Sequence, residues 1–287
     1  MSDDQEKVRR DGRIPDEWWE RLQPLLPPRK PHPLGCHRPR VDDRKAMDAI
    51  CFVLRTGCQW HALNETGLCS RSAAQRRCQE GTTADVVLEL WQRGLVAYEA
   101  LQGIAWAWLA RDGAMTQAPL GGKKVGQTPT DRGKSGPKRS VLTDGGGVPS
   151  GLAVEGANRN AFKMARETMR NSPIARPAPT PAQPQGMCLD KGYDDDEGRD
   201  LLVALGCTAP IRTRGEAVQA IKQEAGGKAR RWVVERTQSW MNRFCRVLIR
   251  WDKKVRNYLA FLHAGVCLHH LQAVWPIGIG SKSNICL

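Results

Sequence analysis

Three acids in this chain are of the right type and placement to act together. Asp112 follows the apolar run IAWAWLAR, Asp190 follows MCL, and Glu235 lies in the basic stretch ARRWVVERTQSWMNRFCRVLIRWDKK. Asp190 comes 78 residues after Asp112, and Glu235 comes 45 after Asp190. Asp112 and Asp190 each read as the close of an apolar strand, and strand ends are where sites form on open sheets. Two such acids and one from a helix can meet around two divalent cations ~3.5–4 Å apart. Such a pair activates a water or a sugar hydroxyl and stabilises the leaving oxygen of a phosphodiester. Hard carboxylate oxygens suit Mg²⁺, with Mn²⁺ as a substitute. Each acid also has a plainer reading. Asp112-Gly113 and Asp190-Lys191-Gly192 could be turns. Glu235 could be the i,i+4 ion-pair partner of Arg231, worth a few tenths of a kcal/mol.

The elements that must position these acids follow from periodicity. Arg230 to Lys254 contains no Gly or Pro and reads as one helix. Its apolar side would carry Val233, Trp240, Phe244, Val247, Leu248 and Trp251, and its other side Arg246 and Arg250. Upstream, SVLTDGGGVPSGLAVEG reads as a strand, a Gly-rich turn and a second strand. Asn158 or Asn160 caps a helix over AFKMARETMRN, ARPAPTPAQPQ is a Pro-rich connector, and DDDEGRDLLVAL is a helix with an acidic first turn. CTAPIRTRG is a further strand. The order predicts an α/β architecture with a mixed sheet over residues 104–271, a frayed start over 1–13 and an irregular tail over 272–287.

Residues 14–103 read differently, as short helices separated by turns. Asp16 would cap the first, Asp42 or Asp43 the next, which Gly57 ends, Ser70 a basic one over Arg71–Glu80, and Asp85 a fourth. One basic helix among short ones fits a helix-turn-helix module, with Arg71, Arg76 and Arg77 facing DNA. The Gly-rich stretch from Leu120 to Arg139 reads as a mobile loop whose Lys123, Lys124, Arg132, Lys134, Lys138 and Arg139 would hold phosphates, beside Arg231, Arg243, Arg246 and Arg250. Gly133-Lys134-Ser135 is not a P-loop, because Thr128 stands where that loop needs Gly.

Composition points the same way. Lys and Arg number 44 against 30 Asp and Glu, a formal charge of +14, which favours a polyanionic partner. No apolar run reaches the ~18 residues of a spanning helix and the N-terminus holds no export signal, so a cytoplasmic location, on DNA when bound, is expected. The 10 Cys include no CxxC and read as reduced core thiols. Cys36, His37, Cys58 and His61 could gather a zinc, though their spacing is not that of a known finger.

The blocks IPDEWWERLQPLLPP, VLRTGCQWHAL, DGAMTQAPLGG, TDRGKSGPKRSVLTDGGGVPSGLAVEGANRN, CLDKGYD and RRWVVERTQSWMNRF resemble, in order, those of bacterial insertion-sequence transposases of the DDE type, in the insertion sequence five group. The resemblance implies a ribonuclease-H-like catalytic domain behind a DNA-binding head. It implies a triad on Asp112, Asp190 and Glu235, two Mg²⁺ ions, and a homodimer that cuts the element's inverted-repeat ends and joins them to target DNA. Asn242 stands where the broader group has a phosphate-holding Lys, so that role would pass to Arg243 or Arg246. The rival readings are a DNA-binding remnant without catalysis and a plain nuclease.

Overall fold

The computed structural model describes residues 13–28, 40–128, 133–189, 196–207 and 232–274. The first part is helical: α1 (Asp16–Leu22), α2 (Asp43–Thr56), α3 (Arg71–Thr83) and α4 (Val86–Leu101). Asp42 caps α2 by accepting from the Lys45 amide, and Gly57 ends it in the left-handed region at φ 68°. Ser70 caps α3 by accepting from the Ala73 amide. Two expected caps differ. Pro15, with its preset φ, is the N-cap of α1, so Asp16 falls inside the helix. Asp85 precedes α4 but spends its carboxylate on Arg256 at 2.9 Å instead of on the helix amides.

The described strands are β1 (Trp108–Met115), β2 (Gly126–Gln127), β3 (Ser135–Thr143), β4 (Pro149–Gly156) and β5 (Gly186–Cys188). β1, β3 and β4 form an antiparallel meander, with β2 pairing the start of β3, and β5 joins β1 in parallel. The sheet is therefore mixed, and its order reverses at β1. The supposed loop ends earlier than its composition suggests, because Lys138 and Arg139 are ladder residues of β3 opposite Met115 and Ala114. β3 also follows Gly133-Lys134 directly, with no helix there to cradle phosphates.

Helices α5 (Ala161–Arg170), α6 (Asp196–Ala204), α7 (Trp232–Met241), α8 (Cys245–Leu248) and α9 (Val255–Val274) complete the described elements. Asn160 caps α5 through the Lys163 amide. Among the described residues no helix is long and apolar enough to cross a membrane. The expected strand over CTAPIRTRG lies, beyond Cys207, outside the described residues, as do residues 1–12 and 275–287.

The single helix expected from Arg230 to Lys254 is instead α7 and α8. It breaks because Phe244 takes an extended backbone, φ −88° and ψ 101°. After α8 the chain extends again and Ile249 bridges Gln117. The break reverses the expected faces. Arg246 and Arg250 are buried, whereas Leu248 and Trp251 are exposed.

One hydrophobic core runs through both parts of the chain, from Ile14, Leu54 and Trp91 to Val141, Tyr258 and Leu262. Helix α9 is its central strut. It packs on α4, where the Trp91 and His263 rings lie 5.3 Å apart and the Cys267 thiol meets the Val87 carbonyl. The head is also seated on α8, since a Cβ at Gly57 would lie 2.8 Å from that of Cys245.

Candidate active site

Strand alternation puts Asp112, Ala114, Val141 and Arg139 on one face of the sheet, since Asp112 pairs with Val141 and Ala114 with Arg139. Helix α7 covers that face. Its Gln238 amide donates to the Asp112 carbonyl at 3.4 Å, and its Thr237 hydroxyl to the Gly147 carbonyl at 2.9 Å. Arg236 donates to the Gly146 carbonyl and stacks on Trp232 at 4.6 Å. These bonds fix α7 along β1 from the hairpin turn to Asp112. Asp112 is half-buried, and Glu235 is exposed in the first turn of α7. Asp112 does not close its strand, as its position after an apolar run suggested. The ladder continues to Met115 and only the burial stops, at Arg111.

Beneath this face lies Arg139, almost wholly buried. Its Nε donates to Gln238 at 3.0 Å, and its other nitrogens to Asn242 and to the Val247 carbonyl. Burial pushes its pKa below the usual value, while Tyr258 and the Asp112 carboxylate favour its charge. This explains the helix break, since the guanidinium fills the space between α7 and α8 and holds both. Sequence reasoning missed Gln238 and this role of Arg139. Nothing in the local pattern marks either, because the bonded residues are about a hundred positions apart.

The third acid, Asp190, lies outside the described residues, as do Arg132, Arg231, Cys36 and His37. The parallel register pairs Ala110 with Cys188. Asp112 is two residues after the first of these and Asp190 two after the second. Among the described residues no three His, Cys, Asp or Glu side chains cluster as a metal site, Cys58 and His61 included.

Several expected phosphate ligands are committed elsewhere. Arg246 is paired with Asp252 at 3.1 and 3.2 Å, over the rings of Trp60 and Phe261. Arg250 is fully buried and donates to the carbonyls of Lys123, Lys124, Asp252 and Lys253. Lys124 bridges Glu155 at 2.7 Å and Glu167 at 3.2 Å. Arg77 pairs with Asp43 and Glu80 within the head. Arg139, Arg246 and Arg250 are buried on internal partners, which a turn towards a phosphate would leave unpaired, whereas Lys124 and Arg77 are ion-paired to partly exposed acids. Arg71, Arg76, Lys123, Lys134 and Arg243 are exposed, the last stacked on Trp240 at 4.0 Å, and Lys138 is half-buried.

Known proteins agree with this layout. The family described as "Putative transposase of IS4/5 family" matches residues 14–91, and the one described as "Transposase DDE domain" matches residues 187–268. The chain is 32% identical over 157 residues to the "Putative transposase for insertion sequence element IS402" of Burkholderia cepacia, covering 52% of this chain and 69% of that one. It is 36% identical over 118 residues to the "Insertion element IS402 uncharacterized 16.2 kDa protein" of the same organism, covering 40% and 80%. The crystal structure of the Mos1 mariner paired end complex with Mn matches 91% of this chain and 84% of that chain at 14% identity. Its TM-score of 0.27 is too low to carry weight. By its sequence relatives, the chain belongs to the insertion-sequence transposases of the IS4/5 family that carry a DDE domain.

Proposed function

We propose that this chain binds the inverted-repeat ends of its element, cleaves the DNA there and joins the freed 3′-hydroxyl to target DNA, with Asp112, Asp190 and Glu235 as the carboxylates of the site. The observation that carries the reading is the β1–β5 register. Parallel pairing continues to Ala110 and Cys188, each two residues short of an acid, and α7 lies over the Asp112 face bonded to Asp112's own carbonyl. A half-buried carboxylate on the sheet and an exposed one on the helix offer hard oxygens with room for water, which suits Mg²⁺. When bound, a pair of such ions supplies Lewis acidity and lowers the pKa of a coordinated water. The protein's part is placement. Gln238 and Arg139 hold Asp112 and the Glu235 helix in one frame. Arg71 and Arg76 on α3 face DNA sequence, and Lys123, Lys134, Lys138 and Arg243 hold phosphates, joined by Arg132 and Arg231. The working species is a homodimer on the two element ends.

The test is nicking of a fragment that carries an element end, with Mg²⁺ and with EDTA. Asp112→Ala and Glu235→Ala should each lose nicking by at least about a hundredfold while DNA binding survives, and the double variant should lose little more than either single. Equal nicking by wild type and Glu235→Ala would leave Glu235 an ordinary helix-surface acid and sink the assignment. Hydrolysis without joining would mark a nuclease instead.

A further inference from the structure

The observation that goes furthest is a row of cations on α5 to which the reading above gives no role. Lys163, Arg166 and Arg170 recur at intervals of three and four residues on one face of α5, and Arg159 lies in the turn just before the Asn160 cap. All four are exposed. Lys163, Arg166 and Arg170 pair with no acid among the described residues, and Arg159 has only a long contact to Glu155 at 3.8 Å. The two acids beneath the row, Glu155 and Glu167, are already bridged by Lys124. Lys124 offsets one of these two acids, so the patch as a whole keeps a formal charge of +3.

Its position matters as much as its charge. Helix α5 packs on β3 and β4, where a Cβ on Gly151 would meet the Thr168 carbonyl at 2.6 Å and the Leu142 side chain at 3.3 Å. Leu142 pairs with Arg111, on the sheet face opposite Asp112 and α7. A duplex lying on the row is thus separated by the sheet from one held at the carboxylates. From Lys163 to Arg170 the row spans ~10 Å of helix. A DNA duplex presents one phosphate charge per ~1.7 Å of its axis, so such a row faces several phosphates at once. None of the four side chains is held in a fixed planar contact that could read a base edge.

We propose that this face of α5 is a second, sequence-independent site for the backbone of duplex DNA, used by a DNA segment other than the one being cut. It rests on the reading above only in taking duplex DNA as the substrate. The full chain and a variant with Arg159→Gln, Lys163→Gln, Arg166→Gln and Arg170→Gln should be titrated in EDTA with two duplexes of equal length, one carrying an element end and one of scrambled sequence. Each lost phosphate contact removes ~0.9 from the slope of log K against log salt concentration. The variant should lose about 3.6 units of slope on the scrambled duplex, and affinity on the order of tenfold or more at 100 mM salt. Nicking of the element end with Mg²⁺ should be unchanged. Circular dichroism on the variant checks that α5 is intact, and Lys163→Arg should restore part of the slope. An unchanged slope on the scrambled duplex overturns the proposal and leaves a solvated helix face. So does loss confined to binding of anionic vesicles. Because the titration needs no chemistry, a chain that binds through α5 but never nicks would count against the proposed reaction and not against this site.

Discussion

Removing Asp252 should cost far more than removing it together with Arg246. The pair is buried, with side chains 6% and 8% exposed, and makes two bonds of 3.1 and 3.2 Å. Asp252→Ala leaves a guanidinium among Trp60, Phe261 and Cys78 with no countercharge, and breaking a buried pair from one side costs about 3–5 kcal/mol. Arg246→Met strands the carboxylate and should cost a similar amount. The double variant removes both charges and keeps apolar volume against the two rings. Its cost should fall below that of either single, about 1–2 kcal/mol, because an apolar replacement of a buried pair is often close to neutral. The coupling in the double-mutant cycle is then several kcal/mol, well above the few tenths seen for independent sites. Urea unfolding of the four proteins measures it, with each m-value compared to confirm that the same transition is followed. The double variant should bind scrambled duplex with the wild-type salt slope. Single-variant costs below about 1 kcal/mol, with a slope reduced by about one in Arg246→Met, would show a solvated Arg246 free to hold phosphate and refute the burial argument.

Two further outcomes follow from the packing between head and sheet. Gly81 lies inside α3 where an added Cβ meets nothing within 4 Å, beside an apolar cavity lined by Met47, Ile50 and Phe261, so Gly81→Ala should raise stability by about 1 kcal/mol in thermal unfolding. Burial pulls the His263 pKa down from 6.5 to about 4, with Asp85 opposing. The unfolded chain then binds the extra proton first, so stability is full above pH 6.5 and falls as the pH drops towards 4. His263→Phe, which keeps a ring against Trp91, should flatten that part of the pH–stability curve.

The elements legible in the sequence were those fixed by neighbours in the chain. Asp42, Gly57 and Ser70 act on residues within four positions, and the Gly-rich turn between β3 and β4 carries its own geometry. The two apolar runs before Asp112 and Asp190 were legible as strands, and they pair with each other in parallel. What could not be read depends on distant partners. A basic helix face and a buried arginine cluster look alike until Asp252, the Lys123 carbonyl and Gln238 are brought to them. The same holds for the split between α7 and α8, since Phe244 carries no breaker signal and the guanidinium that holds the two apart comes from β3.

The core that runs unbroken from α2 and α4 through α9 to the sheet has a consequence for how DNA is measured. With α8 seated against Gly57 and Arg256 tied to the Thr83 carbonyl and Asp85, α3 and the face that carries Asp112 belong to one packed body among the described residues. Such a body works as a caliper with one setting. On the proposed function, the stretch of duplex between the bases touched by α3 and the phosphate at the carboxylates is then counted by the protein's own dimensions, in steps of ~3.4 Å and about a tenth of a helical turn per base pair.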